Sequence, residues 1–197
     1  MSPRLDPRIS SYVQAVRGAI AADPAAERCP DELISKATVD RIQDLAADLV
    51  AEPLDLAPEQ CAFPEEGYGR HMLYEDEDYG FVVIAMCWPE GIQGATHDHG
   101  TWGVVAVAQG SVMITNYERL DDGSEPEHCE LRAHDQIVGR KGAVGYVLPP
   151  ELDFHRVGNG CCETQAISIH TYGRDIKECN FLCPDTGKLM LHKLDCD

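Results

Sequence analysis

From about residue 70 the chain alternates short runs rich in Val, Ile and aromatic residues with Gly, Pro, Asp and Asn, and no long helical repeat lies between the runs. The runs are 81–88, 101–108, 111–117, 130–133, 136–138, 143–148 and 165–172. A parallel α/β sheet needs a helix between strands, so the pattern argues against one. It predicts a mainly β domain, a sandwich or barrel of short strands. Gln109-Gly110 and Asp121-Asp122-Gly123 read as hairpin turns. The acidic run 75–78 reads as a solvated turn.

The first sixty residues follow a different period. Residues 8–22 place Ile9, Val13, Val16, Ala19 and Ile20 at helical spacing. A second helix is expected to start near Pro30–Asp31, to carry Leu33, Ile34, Val39, Ile42, Leu45, Ala46 and Leu49, and to stop before Pro53. The expected organisation is one domain over 1–197. An N-terminal helical segment, 1–60, caps a β barrel, 61–175, and a C-terminal extension, 176–197, follows. The extension mixes charges and Cys with Leu189, Met190 and Leu191, and its pattern assigns it no element.

Composition narrows the function. The 197 residues carry 34 Asp and Glu against 16 Lys and Arg, a formal charge of −18. Such a surface repels phosphate backbones and anionic membranes, which argues against nucleic-acid or membrane partners. The apolar run 81–88 is far too short to span a bilayer, and the start lacks the basic-then-apolar order of a signal peptide. Nine cysteines, an odd number with no CxxC among them, read as mostly reduced, small buried residues of a cytoplasmic protein. Cys161 and Cys162 are adjacent, and Cys179 and Cys183 lie close together. The sequence favours neither a monomer nor a homodimer.

Three of the eight histidines stand out. His97 and His99 flank Asp98, and on an extended segment residues i and i+2 point the same way, so both imidazoles can reach one cation. Gly94, Gly100 and Gly103 make a helix there improbable. His155 follows the Pro149-Pro150 turn, at the start of a strand that a hairpin-rich barrel can bring beside the pair. The bland reading of an isolated HxH is two hydrogen-bonded strand histidines. His71, His128, His134 and His192 read as surface or structural.

Gly91, His97, His99 and Gly110 resemble the first motif of the cupins, and Pro150, His155 and Asn159 the second. The resemblance implies a double-stranded β-helix, a jelly-roll barrel holding a metal inside. The usual glutamate ligand is replaced by Gly103 or Val104, and Leu152 stands where Gly is usual. A set of three neutral histidines is similar to that of a narrower group, the thiol dioxygenases of the cysteine dioxygenase and 3-mercaptopropionate dioxygenase kind. Ser168, His170 and Tyr172 resemble that group's Ser-x-His-x-Tyr relay, and Tyr68-Gly69-Arg70 its Tyr-x-Arg segment. These motifs span residues 68–173.

The resemblance implies Fe(II) held by His97, His99 and His155. It implies a relay of Ser168, His170 and Tyr172, and a substrate carboxylate held by Arg70 with Tyr172 beside it. Arg174 is the second candidate for that clamp. Members that crosslink the tyrosine carry a cysteine near Val104, so Tyr172 is expected unmodified. The mercaptopropionate branch has an arginine where this chain has Phe181. Trp102 is read as packing near the metal. The implied reaction adds both atoms of O₂ to the sulfur of a small mercapto-carboxylic acid, giving a sulfinic acid. Two alternatives keep the three histidines: a zinc or manganese hydrolase or isomerase, which needs a carboxylate base, and a non-catalytic cupin binding a small anion. Asp98 is expected to face away from the histidine pair.

Overall fold

A computed structural model describes residues 5–24, 34–149, 153–159, 164–183 and 186–194. Helix α1 runs Pro7–Ala21, where the Asp6 side chain accepts from the Arg8 N–H at 2.7 Å and proline opens the first turn. Helix α2 runs Lys36–Val50. It begins later than its apolar spacing predicts. Ser35 is extended, its hydroxyl accepts from the Thr38 N–H, and its own N–H and hydroxyl donate to Asp23 at 2.8 and 2.7 Å. That cap sets the first helical residue. Residues 30–33, where the start was expected, lie outside the described residues, as do Pro150, Leu152, Cys161 and Cys162.

The β region forms two main sheets. Strands β1 (Gly69–Glu75), β2 (Val82–Trp88), β3 (Gly103–Gln109), β6 (Val144–Val147) and β8 (Ala166–Tyr172) form one sheet in the order β1-β2-β8-β3-β6. Strands β4 (Ser111–Arg119), β5 (Leu131–Arg140) and β7 (His155–Gly158) form the second, in the order β5-β4-β7. All pairs are antiparallel. This mainly β architecture with two N-terminal helices is the one expected.

Alternation along β2, β3 and β8 separates core from site. Val83, Ala85, Cys87, Val104, Ala106, Ile167 and Ile169 pack against Ile9, Val13, Val16, Val39 and Ile42 of the helices. Val82, Ile84, Met86, Trp88, Val107 and Tyr172 form a separate inner cluster. Both faces of these strands are buried, so β2 reads as an unbroken apolar run, while β8 alternates Ile167 and Ile169 with Ser168, His170 and Tyr172. Tyr12 on α1 hydrogen-bonds Thr171 at 2.7 Å, tying the cap to the outer face of β8. Trp102 belongs to this helix-facing core; it does not pack beside the histidines. Its ring fills the outer layer next to the helices, on the far side of the sheet.

Other sequence readings change. Gln109-Gly110 is not a hairpin, because β3 bonds to β8 and β6 while β4 bonds to β5 and β7. The chain turns a corner between sheets there. Gly110 has φ 67°, and a Cβ on it would meet the Ala166 backbone at 3.1 Å. The runs 130–133 and 136–138 are one strand, β5, with a bulge opposite Asn116 and Tyr117 that absorbs His134. Asp121-Asp122-Gly123 does lie in the β4–β5 hairpin, where Asp121 accepts from the Gly123 and Glu130 N–H groups. Within 75–78, Asp76 is buried and not solvated: it accepts from the N–H groups of Asp78 and Tyr79 and pairs with Arg17 at 2.6 Å.

The C-terminal segment forms a hairpin, β9 (Glu178–Cys183) with β10 (Lys188–Lys193). It docks beside the histidine segment. The Leu182 N–H donates to the Thr96 carbonyl at 2.9 Å, and Asp98 accepts from both the Asn180 N–H and its side-chain amide at 2.7 Å. Among the described residues no helix is long and apolar enough to cross a membrane.

Candidate active site

His97 is held by backbone on both sides. It bridges His155 on β7, with N–H to carbonyl distances of 3.0 and 3.1 Å, and it bridges Phe181 on β9. The His97-Asp98-His99 segment therefore extends between two strands. Its two imidazoles share a side, and Asp98 turns away to Asn180. The rings of His97 and His99 lie 4.8 Å apart, those of His97 and His155 4.9 Å, and those of His99 and His155 4.4 Å. One ring nitrogen from each falls within 4.8 Å of the others.

The tautomers follow from the partners. His97 Nδ1 lies 2.9 Å from the Ala95 carbonyl, and His99 Nδ1 lies 2.8 Å from the Asp153 carbonyl. A carbonyl only accepts, so each Nδ1 carries the proton and each Nε2 presents a lone pair. His99 Nε2 is buried and has no hydrogen-bond partner. An orphaned buried lone pair is costly in protein alone and is satisfied by a cation. Burial, reinforced by the neighbouring His99, lowers His97 to about 3 and His155 well below the usual imidazole value. These donors fit a divalent metal with nitrogen affinity.

Beside them runs a line of buried hydrogen bonds. Trp88 Nε1 donates to Ser168 Oγ at 2.9 Å, Ser168 Oγ lies 2.8 Å from His170 Nε2, and His170 Nδ1 lies 2.8 Å from the Tyr172 hydroxyl. An indole only donates. All four groups are satisfied when Ser168 gives its proton to His170 Nε2 and His170 Nδ1–H donates to Tyr172. The Tyr172 O–H is then left over to donate elsewhere. Burial lowers His170 to about 3, which keeps it neutral, and raises Tyr172, which keeps its proton on. The Tyr172 ring lies 5.6 Å from that of His99.

One cavity of about 30 Å³ is lined by the three histidines, His170, Tyr172, Arg70 and Trp88. Ser168 sits behind Trp88 and His170. Arg70 reaches the cavity from β1, where it pairs with Met86 of β2, itself opposite Ser168. Arg174 is exposed, donates to the Gly100 carbonyl at 3.3 Å, and does not line the cavity. Sequence reasoning missed four neighbours: Trp88, Asp153, Cys179 and Phe181. Trp88 read as strand core. Asp153 orients His99 from a loop. Cys179 and Phe181 lie in a hairpin whose composition gave no strand signal. The Cys179 thiol is pushed up to about 12, mainly by burial, and stays protonated against the cavity.

Comparison with known proteins agrees with this geometry. The family model described as "Cysteine dioxygenase type I" matches residues 32–182. Cysteine dioxygenase type 1 of Danio rerio is 26% identical over 155 residues, covering 76% of this chain and 72% of its own. Its counterpart in Homo sapiens is 24% identical over 151 residues, with the same coverage of each chain. Among solved structures, a cupin 2 conserved barrel domain protein from Rhodopseudomonas palustris aligns with a TM-score of 0.45 at 11% identity, over 64% of this chain and 75% of that one. With a match over most of its length and the histidines gathered as described, the chain belongs to the cysteine dioxygenase type I family.

Proposed function

We propose that the protein is a non-haem Fe(II) thiol dioxygenase acting on a small mercapto-carboxylic acid, with His97, His99 and His155 as ligands. The observation that carries this reading is a single cavity lined at once by three neutral imidazoles, Tyr172 and Arg70. Neutral ligands leave the charge of a divalent ion uncancelled, so an anionic thiolate is favoured there. Iron, when bound, supplies a Lewis-acidic, redox-active centre with positions open to sulfur and O₂.

The protein residues do the rest. Arg70 presents paired N–H donors to the substrate carboxylate and so orients the sulfur. Tyr172 directs its spare O–H to the reacting oxygen or to the substrate, and His170 and Ser168 fix that direction. Met86, Val157, Ile176 and Phe181 give the cavity an apolar side that disfavours water beside the reacting groups. The overall change balances: two S–O bonds form, the O–O bond breaks, sulfur gives up four electrons and O₂ accepts them, and a thiolate becomes a sulfinate without any other reductant.

Among the described residues lining the cavity there is no carboxylate, the base that the hydrolase or isomerase alternative was expected to need. Cys61, Cys87, Cys129 and Cys179 are free thiols, which supports a reducing, cytoplasmic setting. The test is oxygen uptake by Fe(II)-loaded protein with cysteine, 3-mercaptopropionate and mercaptosuccinate. Uptake that depends on one thiol, with one sulfinate formed per O₂, is the expected outcome. Tight zinc with no uptake for any thiol overturns the reading.

A further inference from the structure

Arg70 stands in the wall between two spaces. Inside lies the cavity of the histidines; outside lies an open hollow of about 420 Å³, and Arg70 and Leu194 line both. Asp175 lines only the hollow. Its Oδ1 accepts from Arg70 Nη2 at 3.1 Å, and the Ile176 carbonyl lies 3.4 Å from the same nitrogen. The Arg70 side chain is only 8% exposed, and that of Asp175 20%. A nearly buried guanidinium thus already holds a carboxylate of its own chain. Around the hollow, among the described residues, three cations (Arg70, Lys177 and Lys193) outnumber Asp175 and Glu178. That is a local excess of positive charge on a chain of net charge −18.

We propose that the hollow is the access route for an anionic substrate and that Asp175 is an internal competitor for the Arg70 clamp. This rests on the reading of Arg70 as the group that holds the substrate carboxylate. The inner cavity, about 30 Å³, holds only a couple of water molecules. A mercapto acid needs more room than that, and Arg70, held from outside by Asp175, is the charged residue that the cavity and the hollow share. With no substrate present, Asp175 gives the nearly buried guanidinium a carboxylate partner. On binding, the incoming carboxylate takes over the guanidinium. The affinity is then the difference between two like pairings, and Asp175 sets its level. Lys177 and Lys193, both exposed, raise the local concentration of anions at the outer end.

The probes are 3-mercaptopropionate and its uncharged analogue 3-mercaptopropionamide, titrated without oxygen into metal-free protein and followed by tryptophan fluorescence. Metal-free binding separates this question from turnover. Asp175→Asn is expected to tighten the acid about tenfold and leave the amide unchanged, while Asp175→Glu keeps the wild-type values. Lys177→Glu with Lys193→Glu is expected to weaken the acid alone, by an amount that 0.5 M salt erases. Thermal unfolding of each variant verifies the fold. An Asp175→Asn protein that is folded and binds the acid no more tightly than wild type overturns the proposal. If wild type and Arg70→Ala bind acid and amide alike, the clamp itself is wrong. If they do not, and only the Asp175 result fails, the competitor alone is wrong.

Discussion

Gly103 of β3 lies directly opposite Tyr172 of β8, and a Cβ on it would sit 2.6 Å from the Tyr172 ring. Val104, the position expected to match the crosslinking cysteine of related enzymes, pairs with Thr171 and faces the helices. The residue that controls the space beside the tyrosine is therefore Gly103. The Val147 side chain, 3.0 Å from the same point, closes the other side, so a methyl group cannot be absorbed without moving the ring. Gly103→Ala is expected to keep its metal and lose turnover by about a hundredfold, since an ångström of misplacement costs that much. Metal analysis beside kcat checks it; normal turnover would show that the Tyr172 position is not critical.

Trp88 anchors the relay at its far end. Its N–H donates to Ser168 Oγ, which holds the serine hydroxyl 2.8 Å from His170 Nε2 with its own proton still available to give to that nitrogen. Trp88→Phe keeps the ring in the inner core but lets Ser168 turn. The expected cost is about 1 kcal/mol of stability for one buried hydrogen bond. Turnover should fall less than in Tyr172→Phe, which removes the donor itself and is expected to lose at least a hundredfold. Urea unfolding and kcat for the two variants, at equal metal content, separate these effects.

How far the site could be read in advance depended on where each residue's signal is stored. The histidines and the Ser-x-His-x-Tyr series were legible because period-two spacing on an extended chain is itself geometry. Arg70 was legible only through resemblance, since an arginine on a strand has many partners. Asp175, which holds it, has no local pattern at all: the pair joins residues 105 positions apart. Trp88 was hidden by its neighbours, because β2 is buried on both faces and an indole in such a run looks like packing. The β9–β10 hairpin was hidden by composition. Met190 and Leu191 alternate poorly with their neighbours and are largely exposed, and the strand is specified by its docking on Thr96 and Asp98. The corner at Gly110 looked like a hairpin because both need the same positive φ.

The buried imidazoles make stability pH-dependent. His155 and His170 are 3% and 2% exposed, and burial lowers both well below the ordinary value near 6.5. In the unfolded chain they take up protons below that pH, while in the folded protein they stay neutral. The unfolded state then binds more protons, so stability rises with pH across this window and is lost progressively as pH falls from about 6.5. Each group contributes a slope approaching 1.4 kcal/mol per pH unit below that point. For metal-free protein, the urea midpoint is expected to fall steadily from pH 7 to pH 5. His170→Asn should flatten that fall, and an unchanged slope would mean that His170 is already protonated in the native state.

Asp153 orients His99 twice over. Its carbonyl takes the Nδ1 proton, and its carboxylate accepts from the His99 N–H at 2.8 Å and the Gly100 N–H at 3.3 Å. The carboxylate thus fixes the backbone that carries the ring, and the carbonyl fixes the ring. Asp153→Ala keeps the carbonyl and removes the anchor of the loop. Metal affinity should fall about tenfold, the low end for a lost orienting partner, whereas His155→Ala should lose metal altogether. Competition with a chelator of known affinity measures both. A metal affinity untouched in Asp153→Ala would mean that the strand pairing of His97 with His155 alone organises the three rings.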